Sequence, residues 1–383
     1  MKTPLAWLQL SREKAKLLIA LAGISFADLL MFIQLGFQGA LFNANLRLPR
    51  NVKGDIVLLS TQSEAIFILN SFSRRSLYQT LGMKEVASVS PLYINMAIWK
   101  NPIKGNTRQI MVIGFNPRES SLTAPGLNSQ NRSQIQLTDV VLFDDQSRAE
   151  FGPIAELYRQ GKRVTAEIGQ HQVRIGGLFT LGSSFTADGN VITSDLNFWR
   201  LFPDRAPGLI DIGLITLKPG TDLELAIARL ETKLPENIQV LSKAEFIKAE
   251  RAYWQNTTAI GFIFAFGTII GFIVGTVIVY QILYTDVVDH LPEYATLKAM
   301  GYSDSYFVVV VLQEAVILAI FGYIPGFAIS TAVYALAAWG TNLPVIMTLG
   351  RAIVVLILTI AMCCVSGTLA LRKLKAADPA DIF

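Results

Sequence analysis

Residues 258–284 read TAIGFIFAFGTIIGFIVGTVIVYQILY, without a single Asp, Glu, Lys or Arg. A run of this length exceeds the roughly 20 residues an α-helix needs to cross a hydrocarbon core of about 30 Å. Three more apolar blocks, at 17–42, 306–338 and 351–371, have the same character, whereas 43–257 carries the mixed polarity of a soluble domain. Over 383 residues the chain is 52% hydrophobic but only 16% charged, with mean hydropathy +0.43. Soluble proteins are about 25% charged, so the deficit of charge points to lipid. The expected fold class is a membrane protein of four transmembrane α-helices, with a large periplasmic α+β domain inserted between helices 1 and 2.

The expected segments follow in order. They are an amphipathic N-terminal segment (1–16), helix one (17–42), the outer domain (43–257), helix two (258–284), a cytoplasmic loop (285–305), helix three (306–338), a short outer loop (339–350), helix four (351–371) and a tail (372–383). PLAWLQLSREKAK (4–16) places Trp7 and apolar residues ahead of Arg12, Lys14 and Lys16, which suits the headgroup region of the inner leaflet. Helix one is expected to be retained, because its apolar run exceeds that of a signal peptide and no small-x-small site follows Phe42. Cations before helix one, and Arg372, Lys373 and Lys375 after helix four, put both termini inside. The loop 285–305 dissents, with Asp286, Asp289, Glu293 and Asp304 against Lys298 alone, but acidic residues weigh little in that rule.

In the outer domain GDIVLLS (54–60), QIMVIGF (109–115), VVLFDD (140–145), RVTAEIG (163–169), QVRIGGLF (172–179) and DIGLITL (211–217) read as strands. Residues 61–80, 147–160, 221–234 and 242–255 read as helices, the third capped by Asp222. Cys363 and Cys364, the only cysteines, lie in helix four, so the domain relies on its core without a disulfide.

Several chemistries are excluded. There is no G-x-x-x-x-G-K-[ST] phosphate loop, no H-E-x-x-H and no G-x-S-x-G elbow. His171 and His290 are expected on opposite sides of the membrane, which rules out a paired-histidine metal site in one subunit. Asp144 and Asp145 beside Ser147 are explained by turn formation and capping. The net charge of +4 comes without a basic stripe interleaved with aromatics, which argues against nucleic acid. No catalytic set, cofactor site or metal site is expected on this chain.

The membrane blocks carry clearer signals. Gly267, Gly271 and Gly275 share one helical face, and Gly322 and Gly326 flank Pro325, so helices can approach closely at both places. Asp28 sits in the middle of helix one and must face protein or water, with Gln34, Gln38, Gln281 and Gln313 as possible partners. TDVVDHLPEYATLKAMGYSDS (285–305) can form a short amphipathic helix. Val287, Val288, Leu291, Ala295, Leu297 and Met300 supply its apolar side, Glu293 and Lys298 its exposed charge, and Gly301 its C-terminal cap. Such a helix suits a groove of a soluble partner.

EYATLKAMGY (293–302), between a glycine-rich helix and an apolar helix carrying Pro325, resembles the MacB/FtsX-type permeases. VLFDDQSRAEFGP (141–153), FTLGSSFTADGNVITSDLNFWRLFP (179–203), residues 253–302 and ADPADIF (377–383) are similar to the DevC-type permeases of cyanobacterial DevBCA exporters. The resemblance implies a non-catalytic inner-membrane homodimer. It would bind two copies of a separate ABC ATPase subunit, which holds the ATP and Mg. It also implies a periplasmic membrane-fusion adaptor, a TolC-like outer-membrane channel, and a lipid or glycolipid cargo driven outward by mechanotransmission. Asp286, Asp289, His290, Glu293, Tyr294, Thr296, Leu297, Lys298, Met300 and Gly301 would then belong to the segment coupled to the ATPase. The rival readings are an FtsX-like mechanotransmitter acting on periplasmic cell-wall hydrolases and a Lol-like lipoprotein-release permease.

Overall fold

The computed structural model describes residues 14–206, 208–341 and 345–376. Most of the expected N-terminal segment, residues 342–344 of the loop 339–350, and the tail from 377 lie outside the described residues. In chain order the helices are α1 (Lys14–Asn45), α2 (Arg47–Asn51), α3 (Arg74–Gln79), α4 (Ser129–Gln134), α5 (Ile154–Arg159), α6 (Asp195–Leu201), α7 (Leu223–Lys233) and α8 (Lys243–Ala252). They continue as α9 (Ala259–Asp289), α10 (Leu291–Ala299), α11 (Asp304–Thr341) and α12 (Leu349–Ala376). The strands are β1 (Ile56–Ser60), β2 (Phe72–Ser73), β3 (Val86–Lys100), β4 (Thr107–Phe115), β5 (Val140–Asp144) and β6 (Thr165–Ile168). After these come β7 (His171–Phe179), β8 (Asn190–Ser194), β9 (Leu209–Ile210), β10 (Ile212–Leu217) and β11 (Ile238–Ser242). The described residues form two compact units, a helical one within 14–40 and 259–376 and a sheet unit within 41–258.

The sheet unit is built on a mixed sheet in the order β11-β1-β10-β3-β4-β8-β5-β7-β6. β1 lies between β10 and β11, antiparallel to both. β4–β8 and β5–β7 are parallel pairs. The end of β3 pairs with β6 as well, at Trp99 and Ile168. Both faces are covered, which is why the strands read as apolar runs rather than alternating. Along β4, Ile110 and Val112 enter one core while Met111, Ile113 and Phe115 enter the other. Trp99 is fully buried against Phe143, with ring centroids 5.3 Å apart, and its indole N–H donates to the Phe151 carbonyl at 3.1 Å. The six expected strands are present, with ends shifted by up to two residues.

The helix expected over 221–234 is capped as read, Asp222 accepting from the Glu224 and Leu225 amides, and α8 opens on a capping box of Ser242 with Glu245 that the sequence reading does not single out. The helix expected over 61–80 is not there. Only Arg74–Gln79 is α-helical, because upstream side chains compete for the backbone. Ser63 Oγ accepts from the Asn70 amide at 2.9 Å, and Asn70 Nδ2 donates to the Gln62 carbonyl at 2.8 Å. Over 147–160 the α-helix is likewise confined to Ile154–Arg159, after a 3-10 turn.

Asp144 does more than start a turn. It is fully buried, accepting from the Gln146, Leu181 and Gly182 amides and from Asn190 Nδ2, so one carboxylate holds the 181–190 loop. Burial pushes its carboxyl above the ordinary range, while those hydrogen bonds pull the other way. Glu250 is buried too, accepting from the Ile66 amide at 3.0 Å and Trp254 Nε1 at 2.9 Å.

Among the described residues, four helices of the helical unit are long and apolar enough to cross a membrane: Lys14–Asn45, Ala259–Asp289, Ser305–Gly340 and Leu349–Leu371. α9 runs five residues beyond the expected end at 284, so Asp286 and Asp289 belong to it rather than to a loop. α11 continues through Pro325 as one helix.

Candidate coupling segment and polar sites between the membrane helices

The glycine faces pack on α1 from two sides. A Cβ built at Gly267 would stand 2.5 Å from Gln34 Cδ, at Gly271 3.2 Å from Met31 Cγ, and at Gly275 2.7 Å from Ala27 Cβ. On α11 the same construction puts Gly322 2.6 Å from Ile24 Cγ2 and Gly326 2.9 Å from Asp28 Cβ. The two small-residue stretches therefore make close intramolecular contacts with α1, tightest against the Cβ atoms of Ala27, Ile24 and Asp28, where a larger residue would force a shift. Polar bonds hold these approaches: Ser25 Oγ donates to the Gly322 carbonyl at 3.0 Å, and the Tyr334 hydroxyl donates to the Phe32 carbonyl.

Asp28 is fully buried. Its partner is Thr359 on α12, whose hydroxyl donates to Oδ1 at 2.6 Å, in place of the glutamines expected from the sequence. Gln34 instead lies against Gly267.

The connection between α9 and α11 folds as a short helix. Pro292 sits in the first turn of α10, where its missing N–H costs nothing. At the other end Gly301 adopts φ +94°, its amide donating to the Lys298 carbonyl and the Tyr302 amide to the Leu297 carbonyl. That pair of bonds is a Schellman cap, at the glycine the sequence marked. Glu293, Thr296, Lys298 and Gly301 are exposed, and Met300 is 64% exposed. Tyr294 lies on the same helix.

The expected apolar side is split in two. Val287 is buried with Phe307, Val311 and Leu371, and Leu297 packs on that cluster, whereas Val288 and Met300 point outward with Tyr302. Asp286 turns inward and is buried, with His290 Nδ1 3.6 Å from its Oδ1 and 2.9 Å from its backbone carbonyl oxygen. Asp289 is half exposed and pairs with Lys16 of α1 at 2.5 Å. The coupling set read from the sequence thus divides into an inward residue, Asp286, and a surface group on α10.

One site residue was missed entirely. Glu314 on α11 is fully buried, with no hydrogen-bond partner for either carboxyl oxygen among the described residues. A lone acid inside LQEAVILAI (312–320) was the signal, hidden by the hydropathy of its neighbours. Among the described residues no group of three or more His, Cys, Asp or Glu could hold a metal ion. His171 lies far along the chain in β7, partly exposed.

Residues 265–379 match the family model described as FtsX-like permease C-terminal. This stretch is similar to the C-terminal domain of FtsX-like permeases. The matched stretch takes in most of α9 and all of α10, α11 and α12, so both glycine-bearing faces and the exposed loop helix fall within it. No curated protein matches the chain. Among solved structures, the chain is similar to the periplasmic region of MacB from Actinobacillus actinomycetemcomitans, at 11% identity over 55% of this chain and 96% of that one, with a TM-score of 0.35. It is also similar to the extracellular domain of the noncanonic ABC-type transporter YknZ from Gram-positive bacteria, at 12% identity over 49% and 99%, with a TM-score of 0.33.

Proposed function

We propose that the chain is the non-catalytic permease subunit of an ABC-type tripartite exporter in the inner membrane, its sheet unit periplasmic and both termini cytoplasmic. In this reading two copies bind two copies of a separate ATPase, which carries the ATP and Mg. The sheet unit engages a membrane-fusion adaptor leading to a TolC-like channel, and the cargo is a lipid or glycolipid, as for DevC-type permeases.

The observation that carries the reading is α10. It is a capped helix on a short connection between two membrane-crossing helices of the FtsX-like permease domain, with Glu293, Thr296, Lys298 and Met300 exposed. A short helix anchored on one side by Leu297 and open on the other is the shape a partner groove takes up. Its charged and apolar exposed groups give such a groove both register and contact area.

Co-purification of the full chain with the ATPase and adaptor encoded beside it tests the reading. The native chain is expected to elute with both and to show adaptor-stimulated ATP hydrolysis. Glu293→Arg is expected to lose the ATPase while keeping its membrane insertion. Retention of the ATPase by the variant overturns the docking role of α10. An ATPase that binds while the adaptor does not turns the assignment to a mechanotransmitter of FtsX type.

A further inference from the structure

Phe67, Phe185 and Tyr253 come from three separate stretches of the sheet unit and gather on Trp254. The ring centroids of Phe67 and Phe185 lie 5.1 and 5.5 Å from that of Trp254, and Tyr253 lies 5.7 Å from Phe67. Trp254 is buried beneath them, its indole N–H given to Glu250. Phe185 is nevertheless 56% exposed and Phe67 44%, with Ile68 open to the outside as well. Phe185 is held in this position. Asp144 fixes its loop through the Leu181 and Gly182 amides, and the Phe185 amide donates to Asn45 Oδ1 at 3.0 Å. Rings fixed in contact with one another and open on their outer side mark a surface that meets something apolar.

The place of the patch along the chain indicates what that is. Asn45 is the last residue of α1, and Trp254 precedes Ala259, the first residue of α9, by five positions; both helices are long and apolar enough to cross a membrane. From Lys16 to Asn45 α1 rises about 44 Å at 1.5 Å per residue, and a bilayer with its headgroups is about 40–45 Å thick. With Lys14 and Lys16 among the headgroups of one leaflet, Asn45 comes level with those of the other. Five residues reach at most about 18 Å, and the helical turn Tyr253–Thr257 shortens the distance from Trp254 to α9. Aromatic side chains are enriched at this depth, where a ring meets the acyl boundary beside polar headgroups. Arg50 and Arg251, both exposed, flank the two connections and suit lipid phosphate; Glu64 is the exposed acid closest in sequence to Phe67.

We propose that Phe67, Phe185 and Tyr253 form a lipid-contacting patch, seated in the headgroup region of the leaflet that faces the sheet unit. The partner is the phospholipid surface itself. The patch gives the sheet unit a hold on the leaflet in addition to its two chain connections. The inference rests on α1 and α9 crossing the membrane and does not depend on the exporter reading, the adaptor or the cargo.

Spin labels on the full chain in phosphatidylcholine–phosphatidylglycerol nanodiscs test it. In a background carrying Cys363→Ala and Cys364→Ala, labels are placed through Phe67→Cys and Phe185→Cys. Ile103→Cys and Leu196→Cys, at exposed apolar positions of the same unit, are the controls. The ratio of oxygen access to access by a water-soluble nickel chelate is expected to be severalfold higher at 67 and 185 than at 103 and 196. Either patch position decides alone should the other variant fail to fold. Nickel access at 185 or 67 equal to that at the controls overturns the proposal, because the patch then faces water. A label shielded from both reagents overturns it equally, because protein, either a second copy or another chain, then covers the patch.

Discussion

Thr359 donates its hydroxyl to the Asp28 carboxylate at 2.6 Å, tying α12 to α1 where both residues are fully buried. Asp28→Asn keeps an acceptor for that hydroxyl and is expected to leave the unfolding midpoint in detergent near that of the native chain. Thr359→Val removes the donor and strands the acid, at a cost of about 1–3 kcal/mol. The two midpoints, measured side by side, separate a structural hydrogen bond from an ionic role; equal losses refute the first.

At Gly271 a Cβ already stands 3.2 Å from Met31, and a full isobutyl group has nowhere to go. Gly271→Leu is expected to cost about 1–3 kcal/mol through overpacking. Gly340→Leu is the control, since a Cβ there meets nothing within 4 Å. Thermal unfolding of both variants checks the difference, and equal behaviour would dismiss the packing face.

Gly301 holds φ +94° to complete the Schellman turn. Gly301→Val imposes a left-handed conformation on a branched residue, with a penalty of about 1–2 kcal/mol. Hydrogen exchange reads the result directly. The amides at 301 and 302 are expected to lose protection, while those of α12 keep theirs.

Burial pushes the Glu250 carboxyl above its ordinary value, although Trp254 and Ile66 donate to it. A carboxyl raised on folding favours the neutral form. Its stabilising contribution is therefore full below the unfolded-state value and is lost as pH rises through the raised one. Glu250→Gln removes that dependence. Across the weakly acidic range above the ordinary carboxylate value, the native midpoint is expected to fall relative to the variant as pH increases. Parallel curves would show that Glu250 does not titrate there.

The membrane helices were legible because a run such as 258–284 has one physical explanation, and Asp222 and Gly301 because each cap needs one residue type at one place. β3, the longest strand, was not read. Pro91 interrupts its sequence, and the tertiary structure accommodates it by starting the β4 ladder at Leu92. NVITS (190–194) was too short to announce β8, whose pairing with β4 and β5 is decided by distant partners. The same limit applies to the sites. Asp28 could be flagged from its depth, but its partner Thr359 and the burial of Asp286 and Glu314 depend on how the helices pack.

The place of β1 between β10 and β11 imposes an order on biogenesis. IVLLS leaves the ribosome early, yet both of its neighbours lie beyond residue 211, at the far end of the sheet unit. Until they are synthesised, both edges of this apolar strand lack their native partners and are open to pairing with other chains. Asp28 likewise waits in the nascent chain for Thr359 on the last helix. Truncated or stalled chains ending before residue 238 thus lack a strand beside β1, and they are the forms a quality-control chaperone or protease would be expected to clear first.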